Sequence, residues 1–310
     1  MVKRVTPSTL TCTVVAWRLT ATTSMSVPGW KGSMLRGACG WALRRVASGA
    51  PAPPWPGLAA GADFTAAIGD PQVAWQSPVA TGPFTLQCPD ARSHLQAGDD
   101  VHGRYVLFGP WPEWAISLLE EVLRDGAAHG LGASRQAFTL AEWSVESLAW
   151  PTPPPEATAL RLTTLTPCRL MDRQEECTTL QAPAIARSIL RRWRQLHRQL
   201  VGSDLPVDYQ ALAAAADLLT SDHGNDAEQA GTIRRWSNRQ SRHIEMTGIS
   251  GTVIIAGESL PMLAPILALA PLLHIGKQPV FGLGQVDLAW LSDAQPASRT
   301  PSRPQQADCP

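Results

Sequence analysis

The residues best suited to chemistry in this chain are cations and glycines rather than paired carboxylates. Residues 274–290 read HIGKQPVFGLGQVDLAW, with glycines at 276, 282 and 284 and Lys277 beside the first of them. Glycine lets backbone approach a ligand without side-chain obstruction, so the amides at Gly276, Gly282 and Gly284, with the Lys277 ammonium, would suit a phosphate. A tight helix-to-strand turn would use the same glycines. A dinucleotide fold is excluded by context: the run follows an apolar helical pattern and opens an alternating strand pattern, the reverse of a strand–loop–helix fingerprint.

Two more basic groups lie upstream. Arg234, Arg235, Arg239, Arg242 and His243 fall close together in the chain, with Trp236 among them. Arginine grips phosphate bidentately and tryptophan stacks on bases, so the mixture suits RNA, although a strand-entry loop satisfied by acids such as Glu245 would look similar. In APAIARSILRRWRQLHRQL, Arg187, Arg191, Arg194 and Arg198 recur at helical spacing on one face, with Ile185, Ile189, Trp193, Leu196 and Leu200 on another. The arginine face is either an RNA track or a solvated surface.

Composition limits the alternatives. Of 310 residues, 44% are hydrophobic and 17% charged, which is material for folded cores and argues against disorder. With 26 basic and 26 acidic residues the formal net charge is zero, so an anionic partner must be met by local clusters. The cysteines, at 12, 39, 88, 168, 177 and 309, make no C-x-x-C pair and no zinc-like spacing with histidine. We expect a reduced, cytoplasmic chain with no metal and no cofactor. The apolar run Leu260 to Ile275 is interrupted by Pro261, Pro265 and Pro271, which favours a buried helix over a membrane span.

The elements that must position these residues follow from periodicity. TLTCTVVAWRLTA reads as a strand, GSMLRGACGWALRRVAS as a helix, PFTLQC and RYVLFG as strands, WPEWAISLLEEVLRDGAAHG as a helix and QAFTLAEWSVESL as a strand. That order is a split β-α-β, ferredoxin-like unit, predicted for residues 1–150. After the stiff connector PTPPPE the same α+β alphabet returns over 157–293: a strand at ALRLTTLTP, helical patterns from 181 onward, a strand pair at TGISGTVIIAGE, an apolar helix and a closing strand. Residues 181–235 exceed what such a unit needs and are predicted to form an inserted helical finger; 276–285 form the glycine-rich loop. Residues 294–310 carry no apolar period and are expected to be a disordered tail.

Three segments carry a family resemblance. LLHIGKQPVFGLGQVDL closely resembles the C-terminal glycine-rich signature of the CRISPR precursor-RNA processing endoribonucleases of the RAMP superfamily. GWKGSMLRGACGWALRR resembles that family's N-terminal G-x-x-L-R-G-x-x-G-x-x-L pattern, and RRWSNRQSRHIEMTGISGTVIIAG resembles its S-x-R-Q segment and following strand. The pieces occur in family order and span residues 10–292. The resemblance implies two tandem ferredoxin-like (RRM-like) domains and metal-independent cutting of CRISPR repeat RNA, often with product retained, alongside other subunits of a CRISPR effector complex.

It also implies a mechanism: a 2′-hydroxyl attacks the adjacent phosphate and leaves a 2′,3′-cyclic phosphate. That needs a proton acceptor, a donor to the leaving 5′ oxygen and cations facing the phosphorane. Many relatives carry a histidine near the first helix; VPGWKGSMLRGACGWALRR has none and offers Lys31, Ser33 and Arg36 instead. Some processing enzymes of type IV CRISPR systems are similar in using arginine in place of histidine. We therefore expect Arg36 and Arg242 to stabilise the phosphate and leaving group, with Lys31 and His243 handling protons. Trp30 is expected to stack on a nucleotide. The other class left open is a non-catalytic RAMP subunit that binds and caps guide RNA.

Overall fold

The structure, a computed structural model, describes residues 11–46, 82–132, 135, 137–224, 229–237 and 242–292. The first unit runs β1 (Cys12–Ala21), α1 (Gly32–Val46), β2 (Phe84–Gln87), β3 (Asp100–Phe108), α2 (Glu113–His129) and β4 (Phe138–Ser147). Its strands are ordered β2-β3-β1-β4, with every neighbour antiparallel. Strand β1 alternates: Val15, Trp17 and Leu19 pack with Leu35 and Leu43 of α1 and Leu119 and Leu123 of α2. The opposite face is apolar at its start, and Cys12 and Val14 belong to the core of the second unit.

That second unit runs β5 (Ala159–Thr164), α3 (Ala182–Val201), α4 (Tyr209–Ala216), β6 (Thr220–Asp222), β7 (Gln229–Ser237), β8 (Arg242–Ser250), β9 (Thr252–Ala256), α5 (Leu260–Leu267), α6 (Ala270–Leu273) and β10 (Val286–Leu291). Its sheet order, β6-β9-β5-β10, repeats that of the first, so the chain is α+β with two tandem ferredoxin-like domains. The apolar stripe of α3, including Leu190, Trp193 and Leu196, packs against Val14, Val106 and Phe108 of the first sheet. One sheet is thereby sandwiched between its own helices and a helix of its neighbour.

The helical finger expected over 181–235 is corrected by this arrangement. Helix α3 is the first helix of the second ferredoxin-like unit, with Ile185, Ile189, Leu190 and Leu196 fully buried. Beyond α3, only α4 adds helix there, and the later described elements are strands: β6, then β7, which pairs with β8 from Gln229↔Ser250 to Ser237↔Arg242 in a hairpin of its own. Strand pairing wins because 220–237 has no apolar stripe for a helix to bury, while Ile233 lies opposite Met246 and both are buried. The apolar run 260–275 divides into α5 and α6, with prolines at their starts, and among the described residues no helix is long and apolar enough to cross a membrane. The tail expected over 294–310 lies outside the described residues.

Candidate RNA interface at the junction of the two units

The glycine-rich loop is wedged between the units. Gly276, Gly282 and Gly284 have φ of 77°, 79° and 69°, in the left-handed region. An added Cβ would lie 2.3 Å from the Arg169 carbonyl oxygen at Gly276, 3.0 Å from that of Leu86 at Gly282 and 1.9 Å from that of Ile275 at Gly284. The expected amide cradle is corrected by the hydrogen bonds. Gly276 N–H donates to Ser188 Oγ (2.7 Å), and Lys277, Gly282 and Gly284 N–H donate to the carbonyls of Arg169, Pro279 and Pro167, each at 2.9 Å. Buried amides must find partners, and here the protein supplies them, so the tight turn explains the glycines. The Lys277 side chain is exposed beside them.

The same loop receives the start of α1. A Cβ on Gly32 would stand 1.7 Å from the Phe281 carbonyl oxygen, so only glycine permits this contact. Trp30 Nε1–H donates to that oxygen at 3.1 Å, and the Arg36 guanidinium lies 4.1 Å above the Phe281 ring. Trp30 also packs with Ile233, Ile244, Met246 and Leu283, midway along the hairpin. The base-stacking role expected of Trp30 is corrected accordingly: its indole joins hairpin and loop. Trp30, the hairpin residues Ile233, Ile244 and Met246, and Leu283, far apart in sequence, meet at one junction.

Lys31 also departs from expectation. Its side chain is fully buried, and Nζ donates to the Arg92 carbonyl (2.7 Å), the Asp90 carbonyl (3.0 Å) and Asp90 Oδ1 (3.2 Å). An ammonium whose donors are spent inside the fold cannot exchange protons with RNA; it ties the 90–92 turn to the start of α1. The sequence reading set aside the histidine next to that turn. His94 is exposed, with Nδ1 3.1 Å from Ser26 Oγ. His274 is the opposite case, buried with Nδ1 2.9 Å from the Leu283 carbonyl and Nε2 unpaired. Burial pushes its pKa down to about 3, so it is neutral and holds the loop.

The arginine row on α3 is largely neutralised from within. Arg187 pairs with Asp172 and Asp217, and Arg194 and Arg198 both pair with Asp204. Hydrogen bonds from Arg194 and then Arg198 hold the Asp204 carboxyl well below the usual range. Arg191 is exposed, and no ion pair is recorded for it among the described residues. Acids outside the helix, invisible to a helical-face count, answer the puzzle of four aligned arginines. In the hairpin, Arg234 lies opposite Glu245, Arg235 opposite Ile244, His243 opposite Trp236 and Arg242 opposite Ser237. These four basic residues are described by backbone alone, and Arg239 lies outside the described residues.

Sequence reasoning missed Arg192, Thr85 and Gln87. Arg192 is 8% exposed and donates to the carbonyls of Phe84 (3.1 Å) and Gly82 (3.3 Å). Thr85 Oγ1 donates to the Leu272 carbonyl (2.9 Å) and Gln87 Nε2 to that of Pro271 (2.6 Å). No motif marks these residues; a break in the arginine spacing at 192 was the only signal. Among the described residues, no group of three or more His, Cys, Asp or Glu is placed to hold a metal ion.

The chain thus presents a duplicated ferredoxin-like fold with a glycine-rich loop closing onto its first helix. The family model described as CRISPR-associated endoribonuclease Cas6 matches residues 162–286, and a separate model described as an N-terminal domain matches residues 10–152. The Cas6 model thus falls on the second unit of the chain and the other model on the first. Among solved structures it is similar to the Cas6 (TTHB231) product complex, with 16% identity, a TM-score of 0.57 and coverage of 90% of this chain and 100% of that one. The structure titled Thermus thermophilus Cas6 (TTHB231) is 15% identical at a TM-score of 0.54, covering 91% of this chain and 100% of that one. A chain of a partial Cas6-RT-Cas1–Cas2 complex is 13% identical at a TM-score of 0.52, covering 97% of this chain and 49% of that one. No curated protein matches the chain by sequence.

Proposed function

We propose that this chain is a metal-independent endoribonuclease, cytoplasmic, that cuts CRISPR precursor RNA within its repeats and stays bound to the repeat hairpin. The observation that carries the proposal is the meeting of the α1 start, the β7–β8 hairpin and the glycine-rich loop at one junction. The Cas6 model matched by residues 162–286 and the product complex to which the chain is similar support it. Arg36 and Arg242 face the scissile phosphate and leaving group, Lys277 adds charge at the loop, and Arg191, Arg234, Arg235 and Arg239 grip the RNA backbone. Proton transfer falls to His243 or to His94, which stands beside the turn that Lys31 anchors. The RNA supplies its own nucleophile, the 2′-hydroxyl.

A second reading is a subunit that holds guide RNA within a CRISPR effector complex without cutting it. The burial of Lys31 and the lack of any histidine between 29 and 46 favour it. One incubation separates the two: a repeat hairpin in EDTA, with a 2′-deoxy substitution at the cut site as control. Cutting that persists in EDTA and stops in the deoxy RNA supports the nuclease. Tight binding without cutting supports the holder.

A further inference from the structure

We infer that Arg192 is a positioning residue, setting the register between the two units that assembles the RNA site; the inference rests on the function proposed above. The α1 start belongs to the first unit and the glycine-rich loop to the second, so neither can place the other alone. What joins them is β2, an edge strand of the first sheet. The Pro83 carbonyl accepts from Phe108 N–H inside the sheet, so the carbonyls of Gly82 and Phe84 point outward, where a further strand would normally meet them.

Arg192 takes the place of that strand. Its guanidinium donates to both outward carbonyls, and the next one along, that of Leu86, is where the backbone of Gly282 comes close. Gly82 faces Val280 in the same way: an added Cβ would sit 2.6 Å from Val280 Cγ1. The glycine-rich loop therefore lies along the rail that Arg192 holds. Among the described residues no ion pair is recorded for Arg192. A buried cation kept without a carboxylate is poorly explained by stability, because an apolar side chain of similar length would avoid its desolvation. Its terminal Nη2, donating to both carbonyls, explains its presence.

The test compares Arg192→Met and Arg192→Lys with the wild-type chain. Lysine keeps a terminal nitrogen with donors for both carbonyls, so it should rescue in part. Single-turnover cleavage of the repeat hairpin should fall on the order of a hundredfold in Arg192→Met, the cost of misplacing reacting groups by about 1 Å, and less in Arg192→Lys. RNA affinity should stay near wild type, because the hairpin and Lys277 are untouched. Hydrogen exchange should quicken at the amides of 276–285 and around Trp30, with β1 and α2 still protected. Wild-type cleavage with unchanged exchange in Arg192→Met overturns the inference, as does equal loosening of the whole chain. If the wild-type chain does not cut at all, the nuclease reading falls, and exchange alone still decides the role of Arg192.

Discussion

The Gly32 contact gives an unusual expectation for a single methyl group. Alanine at a helical glycine normally stabilises by about 1 kcal/mol. At Gly32 the added carbon meets the Phe281 carbonyl oxygen, and at Gly284 it meets that of Ile275 in a backbone with positive φ. We predict that Gly32→Ala and Gly284→Ala each destabilise by roughly 2 kcal/mol or more, measured by urea unfolding. Gly37 has open space around its Cβ position and provides the control, where alanine should stabilise. Lys31→Met is expected to loosen the 90–92 turn without altering the pH dependence of cleavage, whereas His94→Ala should alter that dependence if His94 handles the proton. A pH–rate profile for each variant separates them.

Helix α3 divides its arginines between two tasks. Arg187, Arg194 and Arg198 are paired with acids, and Arg191 is exposed with no ion pair among the described residues. Arg191→Ala should therefore weaken RNA binding and lower the salt slope by about one unit, while Arg198→Ala should leave the slope nearly unchanged. Binding isotherms at several salt concentrations read this directly. Asp204→Asn releases two arginines and should raise affinity and steepen the slope. In the β7–β8 hairpin, Arg242→Glu should weaken binding more than any single change on α3, because it reverses a charge at the end of the hairpin that also carries Arg234 and Arg235.

The joined molecule has a pH response of its own. His274 is held neutral with its pKa pushed down to about 3 from an ordinary 6.5. Between those values the unfolded chain binds a proton that the folded chain does not, so stability is lost as pH falls below about 6.5 and the loss is complete near 3. The slope approaches about 1.4 kcal/mol per pH unit for this one group. Denaturant unfolding at a series of pH values checks it, and His274→Gln should flatten the curve in that window. Because His274 holds Leu283 next to the seam, loosening there should reach the loop before the two cores.

The tandem α+β fold was legible because β1, α1, α2 and α3 each bury a full apolar stripe, which leaves a period in the sequence. The three family segments could be read for the same local reason, since glycines at fixed spacing stand out. Their meaning could not be read locally. Whether Gly282 offers its amide to a phosphate or packs against Leu86 depends on a strand almost two hundred residues away. Lys31 looked like a proton handler until tertiary contacts buried it, and three arginines looked free until Asp172, Asp204 and Asp217 met them. Periodicity records which face of an element is apolar; it carries no record of which distant polar group completes a charge or a hydrogen bond. Those partners are chosen when the two units close on each other, so the fold was written along the chain and the site only in its folding.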